Sequence, residues 1–115
     1  MNKPMKLTIY ALLAAASIAY APGMASAADP AGDWAKNCAS CHAKDGSGST
    51  MMGKRLGVKD LRDAKVQAAL TDANAISTIQ NGVVESGKQN MKAYKDTLSA
   101  DQIKALVTYI RSLKK

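Results

Sequence analysis

The chain has 115 residues, which is enough for one small domain and too short for several. It has no phenylalanine. It has a single histidine, which excludes any site that needs two histidines from this chain. The formal net charge of +7 makes the protein basic, so an anionic partner is expected.

Residues 1–27 have the pattern of a secretory signal peptide. Lys3 and Lys6 give a positive start, residues 7–21 are apolar, and an Ala-Ser-Ala cleavage site ends at Ala27. The apolar run is shorter than the roughly 20 residues that a membrane-spanning helix needs, which argues against an uncleaved anchor. We therefore predict cleavage after Ala27, export to the periplasm and a mature domain of residues 28–115.

The mature domain is basic and poor in aromatic residues. Loss of Lys3 and Lys6 with the signal peptide leaves a charge of +5, and Trp34, Tyr94 and Tyr109 are the aromatic residues that remain. A domain of this size and composition usually needs a covalent staple or a cofactor to be stable. Basic proteins often bind nucleic acid, but export argues against that partner.

A short helix is predicted at the start of the mature domain. Asp29 and Pro30 suit the N-cap and the first position of a helix. Trp34 lies four residues before Cys38, so the two side chains share one helix face. We expect Trp34 to be a core residue.

Cys38-Ala39-Ser40-Cys41-His42 is the C-x-x-C-H motif that attaches a c-type haem. Cys38 and Cys41 can each add a thiol to one haem vinyl group, and His42 can donate an imidazole nitrogen to the iron. A thioredoxin-like redox pair would need a βαβ context, and nothing in this sequence predicts strands. A zinc site needs two more ligands, and a disulfide would close a strained loop. The motif therefore favours haem, which would also supply the apolar bulk that the core lacks.

The middle of the chain alternates predicted loops and helices. Residues 44–58 are rich in glycine and small polar residues and predict a loop. Met51 and Met52 in this stretch are candidate iron ligands by their chemistry, but we expect them to be loop or packing residues. Helical segments are predicted between about residues 63 and 81, with Thr71 as an N-cap and Gly82 at the C-terminal stop. Residues 85–94 are polar, lack an apolar period and predict a loop that contains Met91.

The last helix is the clearest element. Ser99 and Gln102 form a capping box. Apolar residues then recur at helical spacing, namely Ile103, Leu106, Val107, Ile110 and Leu113. We expect this helix to pack on the N-terminal helix, with Tyr109 near Trp34. No strand-like alternation is found, so the fold class is all-α, with three to five short helices around one cofactor.

The whole mature chain resembles the small class I c-type cytochromes, the monohaem electron carriers of bacterial periplasms. The resemblance rests on four segments in the family's order. Residues 34–42 match the aromatic-x-x-x-C-x-x-C-H entry, and residues 51–61 match the loop after the motif. Residues 79–82 match the helix end before the ligand loop, and residues 91–110 match the axial-methionine segment and the final helix.

The resemblance implies a cytochrome c fold with one haem c bound covalently through Cys38 and Cys41. It implies His42 and Met91 as the axial ligands, which leaves the iron no open site and suits a one-electron carrier rather than an enzyme. A monomer that is not inserted in a membrane and docks on acidic redox partners is expected. Lys92 replaces the family's usual proline after Met91, which predicts a segment less restricted in φ and an iron–sulfur bond that breaks more easily.

Two other functions stay open from the sequence. Met91 could leave the iron in a gas-binding haem sensor, or the domain could be the haem subunit of a larger oxidoreductase. Binding of carbon monoxide to the reduced protein at neutral pH tests for displacement of Met91. An exported dithiol protein without haem is a third reading, which a visible spectrum would distinguish.

Overall fold

The structure is a computed structural model that describes residues 28–115; the expected signal peptide, residues 1–27, lies outside the described residues. Six helices and one strand pair make up the described part: α1 (Pro30–Asn37), α2 (Ala39–His42), α3 (Met51–Leu56), α4 (Ala64–Ala69), α5 (Asp72–Asn81), β1 (Val83–Glu85), β2 (Lys88–Met91) and α6 (Ala100–Ser112). Within residues 28–115, no helix has the length and apolar character needed to cross a membrane.

The predicted helix ends are confirmed by their capping contacts. The Asp29 carboxylate accepts a hydrogen bond from the Gly32 N–H at 3.0 Å, and Thr71 Oγ1 accepts one from the Asn74 N–H at 3.1 Å. The capping box of Ser99 and Gln102 is present at the start of α6. These side chains satisfy backbone donors that the first turn of a helix leaves without partners.

One helix lies where a loop was predicted. Helix α3 is capped by Thr50, the residue before it. Thr50 Oγ1 accepts a hydrogen bond from the Gly53 N–H at 2.9 Å, and the same hydroxyl donates to the Cys41 carbonyl at 3.0 Å. The loop prediction was wrong here because the N-cap threonine outweighs the low helix propensity of the glycine that follows. The same hydroxyl joins α3 to the cysteine motif.

A two-stranded antiparallel hairpin replaces the first part of the loop predicted over residues 85–94. Ser86 and Gly87 connect β1 to β2 with φ of 49° and 76°, as in a type I′ turn. Val83 pairs with Met91 in this hairpin. The prediction missed it because the strands are short and mostly exposed, so no apolar alternation marks them. The mostly helical fold class is confirmed, with this strand pair and a sixth helix added.

The core lies where α1 packs on α6, as predicted. Trp34 is buried, and its ring centroid lies 5.5 Å from that of Tyr109. Ile103 and Leu106 of α6 are the other fully buried large side chains, and Ile79 of α5 joins the same cluster. The core is therefore small, and it lies directly behind the cysteine motif.

A polar network fixes the connection between α4 and α5 to the last helix. The Arg111 guanidinium donates to the carbonyl oxygens of Gln67 and Leu70 and pairs with Asp72 at 2.8 Å. The buried Gln67 amide donates to the Leu61 carbonyl at 2.7 Å and to the Ile110 carbonyl at 2.8 Å. Buried backbone carbonyls are thereby satisfied, and Leu61 is held against the core.

Replacement of Gly53 by alanine should weaken the packing of α3 on the cysteine motif. A Cβ there would overlap the carbonyl oxygens of Cys41 and Gly48, and backbone atoms cannot move aside as a flexible side chain can. We expect Gly53→Ala to lower the free energy of unfolding by about 1–3 kcal/mol, measured by thermal unfolding of the haem-loaded protein. The exposed neighbour gives the control: Lys54→Ala should stay within about 0.5 kcal/mol of wild type. Equal melting temperatures for all three proteins would contradict this packing.

Candidate haem site

One cavity brings together all four residues singled out from the sequence. Cys38, Cys41, His42 and Met91 line a cavity of about 510 Å³. Sites for cofactors and other small molecules usually measure about 300–1,000 Å³. Cys38 lies at the junction of α1 and α2, Cys41 and His42 belong to α2, and Met91 ends β2. The fold thus brings segments that are distant in sequence to the same cavity.

The walls of this cavity are largely apolar and border the core. Leu56, Val58 and Leu61 line it on the chain that follows the motif. An adjoining cavity of about 120 Å³ shares Cys38, His42 and Met91 and extends to Trp34 and Leu106. A planar apolar cofactor in this space would complete the small core as well as occupy the site.

The His42 imidazole has the properties of a metal ligand. Its Nδ1 atom is buried and has no hydrogen-bond partner among residues 28–115. Burial lowers the pKa of His42, which favours the neutral ring that can donate a lone pair to a metal. The ring lies 5.7 Å from the Trp34 ring, between centroids. Coordination of iron would give this buried polar ring an interaction that the protein atoms do not supply.

Two hydrogen bonds hold the backbone at His42 and at the residue that follows it. The Trp34 indole donates from Nε1 to the carbonyl of Ala43 at 3.1 Å, and the Gly48 N–H donates to the His42 carbonyl at 2.8 Å. The prediction that Trp34 is a core residue is confirmed. Its hydrogen bond also links the core to the end of the haem motif.

The two cysteines are free thiols at the edge of the cavity. Both side chains are half-buried. Burial, and then the nearby charges of Asp33 and Cys41, raise the pKa of Cys38 to about 11, so this thiol is neutral at neutral pH. Residues 28–115 contain no group of three or more His, Cys, Asp or Glu side chains that could hold a metal ion. The two thiols, the Met91 thioether and the His42 imidazole, which all line the cavity, are donors that suit haem attachment and haem iron.

The methionines differ in their surroundings. Met91 is half-buried, packs against the core cluster and lines both cavities. Met51 is 81% exposed and lies away from the cavity, whereas Met52 is 43% exposed and reaches its wall. Tyr94 also lines the cavity. Sequence reasoning assigned Tyr94 no role, although its position three residues after Met91 was a usable signal.

Comparison with known proteins identifies the family. Residues 25–110 match the model of cytochrome C oxidase, cbb3-type, subunit III. The chain belongs to this family of c-type cytochromes. The cytochrome also resembles the solved KustC0563 c-type cytochrome, with 32% sequence identity and a TM-score of 0.66 over 76% of this chain and 99% of that chain. A tyrosine-to-phenylalanine mutant of Kustc0563 gives 31% identity and the same TM-score, over 75% and 99%. No curated protein matches the cytochrome.

Membership of the family confirms the predicted cofactor and the general function. A cytochrome of this family carries covalently bound haem c, and Cys38 and Cys41 are the two cysteines of its C-x-x-C-H motif. Bound haem supplies an iron that is reversibly oxidised and reduced by one electron. The function of the domain is haem-based electron transfer.

Loss of the haem attachment should also unfold the cytochrome. The core without haem contains few large side chains and borders on two cavities, so its burial should not offset the conformational entropy of the chain. We expect the double variant Cys38→Ala/Cys41→Ala to lack covalent haem on a denaturing gel stained for haem. It should also lack a cooperative thermal transition by circular dichroism. A cooperative transition in this variant would contradict the dependence of the fold on haem.

Proposed function

We propose that this cytochrome is a soluble one-electron carrier of the periplasm, with His42 and Met91 as the axial ligands of the haem iron. One observation carries the proposal: the only histidine of the chain and a half-buried methionine line the same cavity as the two attachment cysteines. With both axial positions taken, the iron has no open site for a substrate. Such a protein exchanges electrons with partners and is not an enzyme.

The two ligands suit a carrier. A methionine sulfur is a soft donor that raises the reduction potential of haem iron relative to a second histidine. The neutral His42 ring is favoured by its burial. The half-buried position of Met91 would shield the iron–sulfur bond from water, and its packing against the core would limit its motion.

The proposed location follows from the N-terminal segment. The signal peptide of residues 1–27 would direct export and be cleaved after Ala27, so the mature carrier would be the monomeric domain of residues 28–115.

The charges near the cavity support an acidic redox partner. Lys59 and Lys92 line it, together with Glu85. The ion pairs within residues 28–115 are formed by Arg62 and Arg111, so neither lysine is paired with a carboxylate of the described residues. Attraction between the lysines and carboxylates of the partner would steer the exposed edge of the haem toward it.

A second candidate function is supported by the matched family. The family is described as subunit III of a cbb3-type oxidase, so the domain could be the haem subunit of a larger oxidoreductase. Gel filtration of extracts from the native host distinguishes the two functions. A free carrier elutes at the size of the mature domain, and a subunit elutes with a large membrane complex.

Replacement of Met91 should leave one axial coordination position of the haem iron free. Met91→Ala should remove the weak long-wavelength charge-transfer band of sulfur-bound ferric haem, lower the reduction potential and admit carbon monoxide to the reduced iron. Absorption spectroscopy and a redox titration measure all three effects.

The other mature methionines provide the comparison. Met51→Ala should leave the band intact because this side chain lies away from the cavity. Met52 reaches the cavity wall, so Met52→Ala tests the competing assignment. Loss of the band in Met52→Ala and its survival in Met91→Ala would show that the ligand is misassigned. Binding of carbon monoxide to the wild-type protein would favour a gas sensor.

The rate of electron exchange with a small charged complex should depend on salt if Lys59 and Lys92 attract that complex to the cavity. Oxidation by ferricyanide, an anion, should slow as salt rises, because exposed charges are screened beyond about 8 Å at physiological ionic strength. Charge reversal at the cavity in Lys59→Glu/Lys92→Glu should reduce or abolish this dependence. Lys104→Glu/Lys114→Glu reverses the same number of charges on α6 and just after it, away from the cavity, and should change the salt dependence less. Equal effects of the two substitution sets would mean that the basic surface is not focused at the haem.

A further inference from the structure

We infer that Tyr94 is a positioning residue for Met91, because its hydroxyl fastens the segment that carries Met91 to the haem motif. This inference rests on the proposed ligation of iron by Met91. The Tyr94 hydroxyl donates a hydrogen bond to the Asn37 carbonyl at 2.8 Å. Asn37 is the last residue of α1 and directly precedes Cys38, and both bonded residues line the cavity.

Backbone contacts hold the same segment from another direction. The N–H groups of Tyr94 and Lys95 donate to the carbonyls of Ile79 and Gln80, at 2.9 Å and 3.2 Å. These carbonyls belong to the last turn of α5, where a helix has no N–H donors of its own to satisfy them. Gly82 follows with a φ of 73°, and a Cβ there would overlap the Met91 carbonyl. The backbone is thus attached to β1 at Met91 and to α5 at Tyr94 and Lys95.

The tyrosine hydroxyl provides the contact across the cavity. The backbone bonds of residues 91–95 run to α5, to β1 or to the turn that follows, whereas the Tyr94 hydroxyl reaches the residue before Cys38. The Lys92 ammonium lies 5.7 Å from the Tyr94 ring centroid and adds a cation–π contact to the ring. The segment is therefore held both to α5 and to the chain that bears the haem.

These contacts replace the restraint that proline would supply. Lys92 has no ring to fix φ, so a segment free of tertiary contacts would sample more conformations and Met91 would leave the iron more often. The hydrogen bond from Tyr94 is made when the segment is docked. Its loss should therefore favour the state in which Met91 has moved away from the cavity.

The test is a titration of the ferric, haem-loaded protein with imidazole, which binds iron when the methionine has left it. Tyr94→Phe keeps the ring and removes the hydroxyl. We expect it to bind imidazole about two- to ten-fold more tightly than wild type, the factor that corresponds to one neutral hydrogen bond. The charge-transfer band of sulfur-bound iron should disappear at correspondingly lower imidazole concentration.

Two controls separate positioning from a general loss of stability. Tyr109→Phe removes the same atom from a tyrosine that packs on Trp34 and does not line the cavity, and it should bind imidazole as wild type does. Ser99→Ala removes the cap of α6, so it should lower the melting temperature without tightening imidazole binding.

The outcomes distinguish this inference from the proposed function. A wild-type ferric protein that lacks the charge-transfer band overturns ligation by Met91, and the positioning role with it. If wild type shows the band and Tyr94→Phe binds imidazole with wild-type affinity, the positioning role alone is overturned. Equal tightening in Ser99→Ala or Tyr109→Phe also overturns it, because the effect would then be global.

Discussion

The structure depends on closing a small apolar core around a cofactor cavity. The fully buried large side chains are Trp34, Ile103 and Leu106, too few to stabilise a domain of this length by themselves. The cavity of about 510 Å³ borders this core, and the adjoining cavity reaches Trp34 and Leu106. Haem attached at the cavity would bury its own apolar surface and that of the walls. The group that carries the electron is thereby also the group that completes the fold.

The elements around the cavity are held by a few specific contacts rather than by extensive packing. Thr50 joins α3 to the Cys41 carbonyl, and Trp34 joins the core to Ala43 just after His42. Tyr94 joins the Met91 segment to Asn37. Each of these bonds ends on a backbone carbonyl within the haem motif or directly beside it. The motif is therefore restrained from several sides, which favours an iron environment that changes little between redox states.

Signals that act over a few residues made much of this fold predictable from sequence. Helix caps at Asp29, Thr71 and Ser99 mark where helices begin, because each side chain accepts a hydrogen bond from the backbone N–H three residues later. Helix α3 and the hairpin were missed because their signals are weak: a threonine before two methionines, and a Ser-Gly turn between short polar strands. The partner of the Tyr94 hydroxyl lies 57 residues away in the chain, and no local pattern specifies such a contact. Sequence alone therefore predicted a looser segment after Met91 than the contacts now indicate.

The central claim is that Met91 lies against the haem iron while the other mature methionines do not. Nuclear magnetic resonance of the reduced, haem-loaded protein with isotope-labelled methionine methyl groups tests it most directly. A methyl group beside the iron experiences the ring current of the porphyrin, so the Met91 signal should move far upfield. The Met51 signal should stay near its usual position, since that side chain is 81% exposed. An unshifted Met91 signal, or a strongly shifted signal from Met52 in its place, would contradict the account.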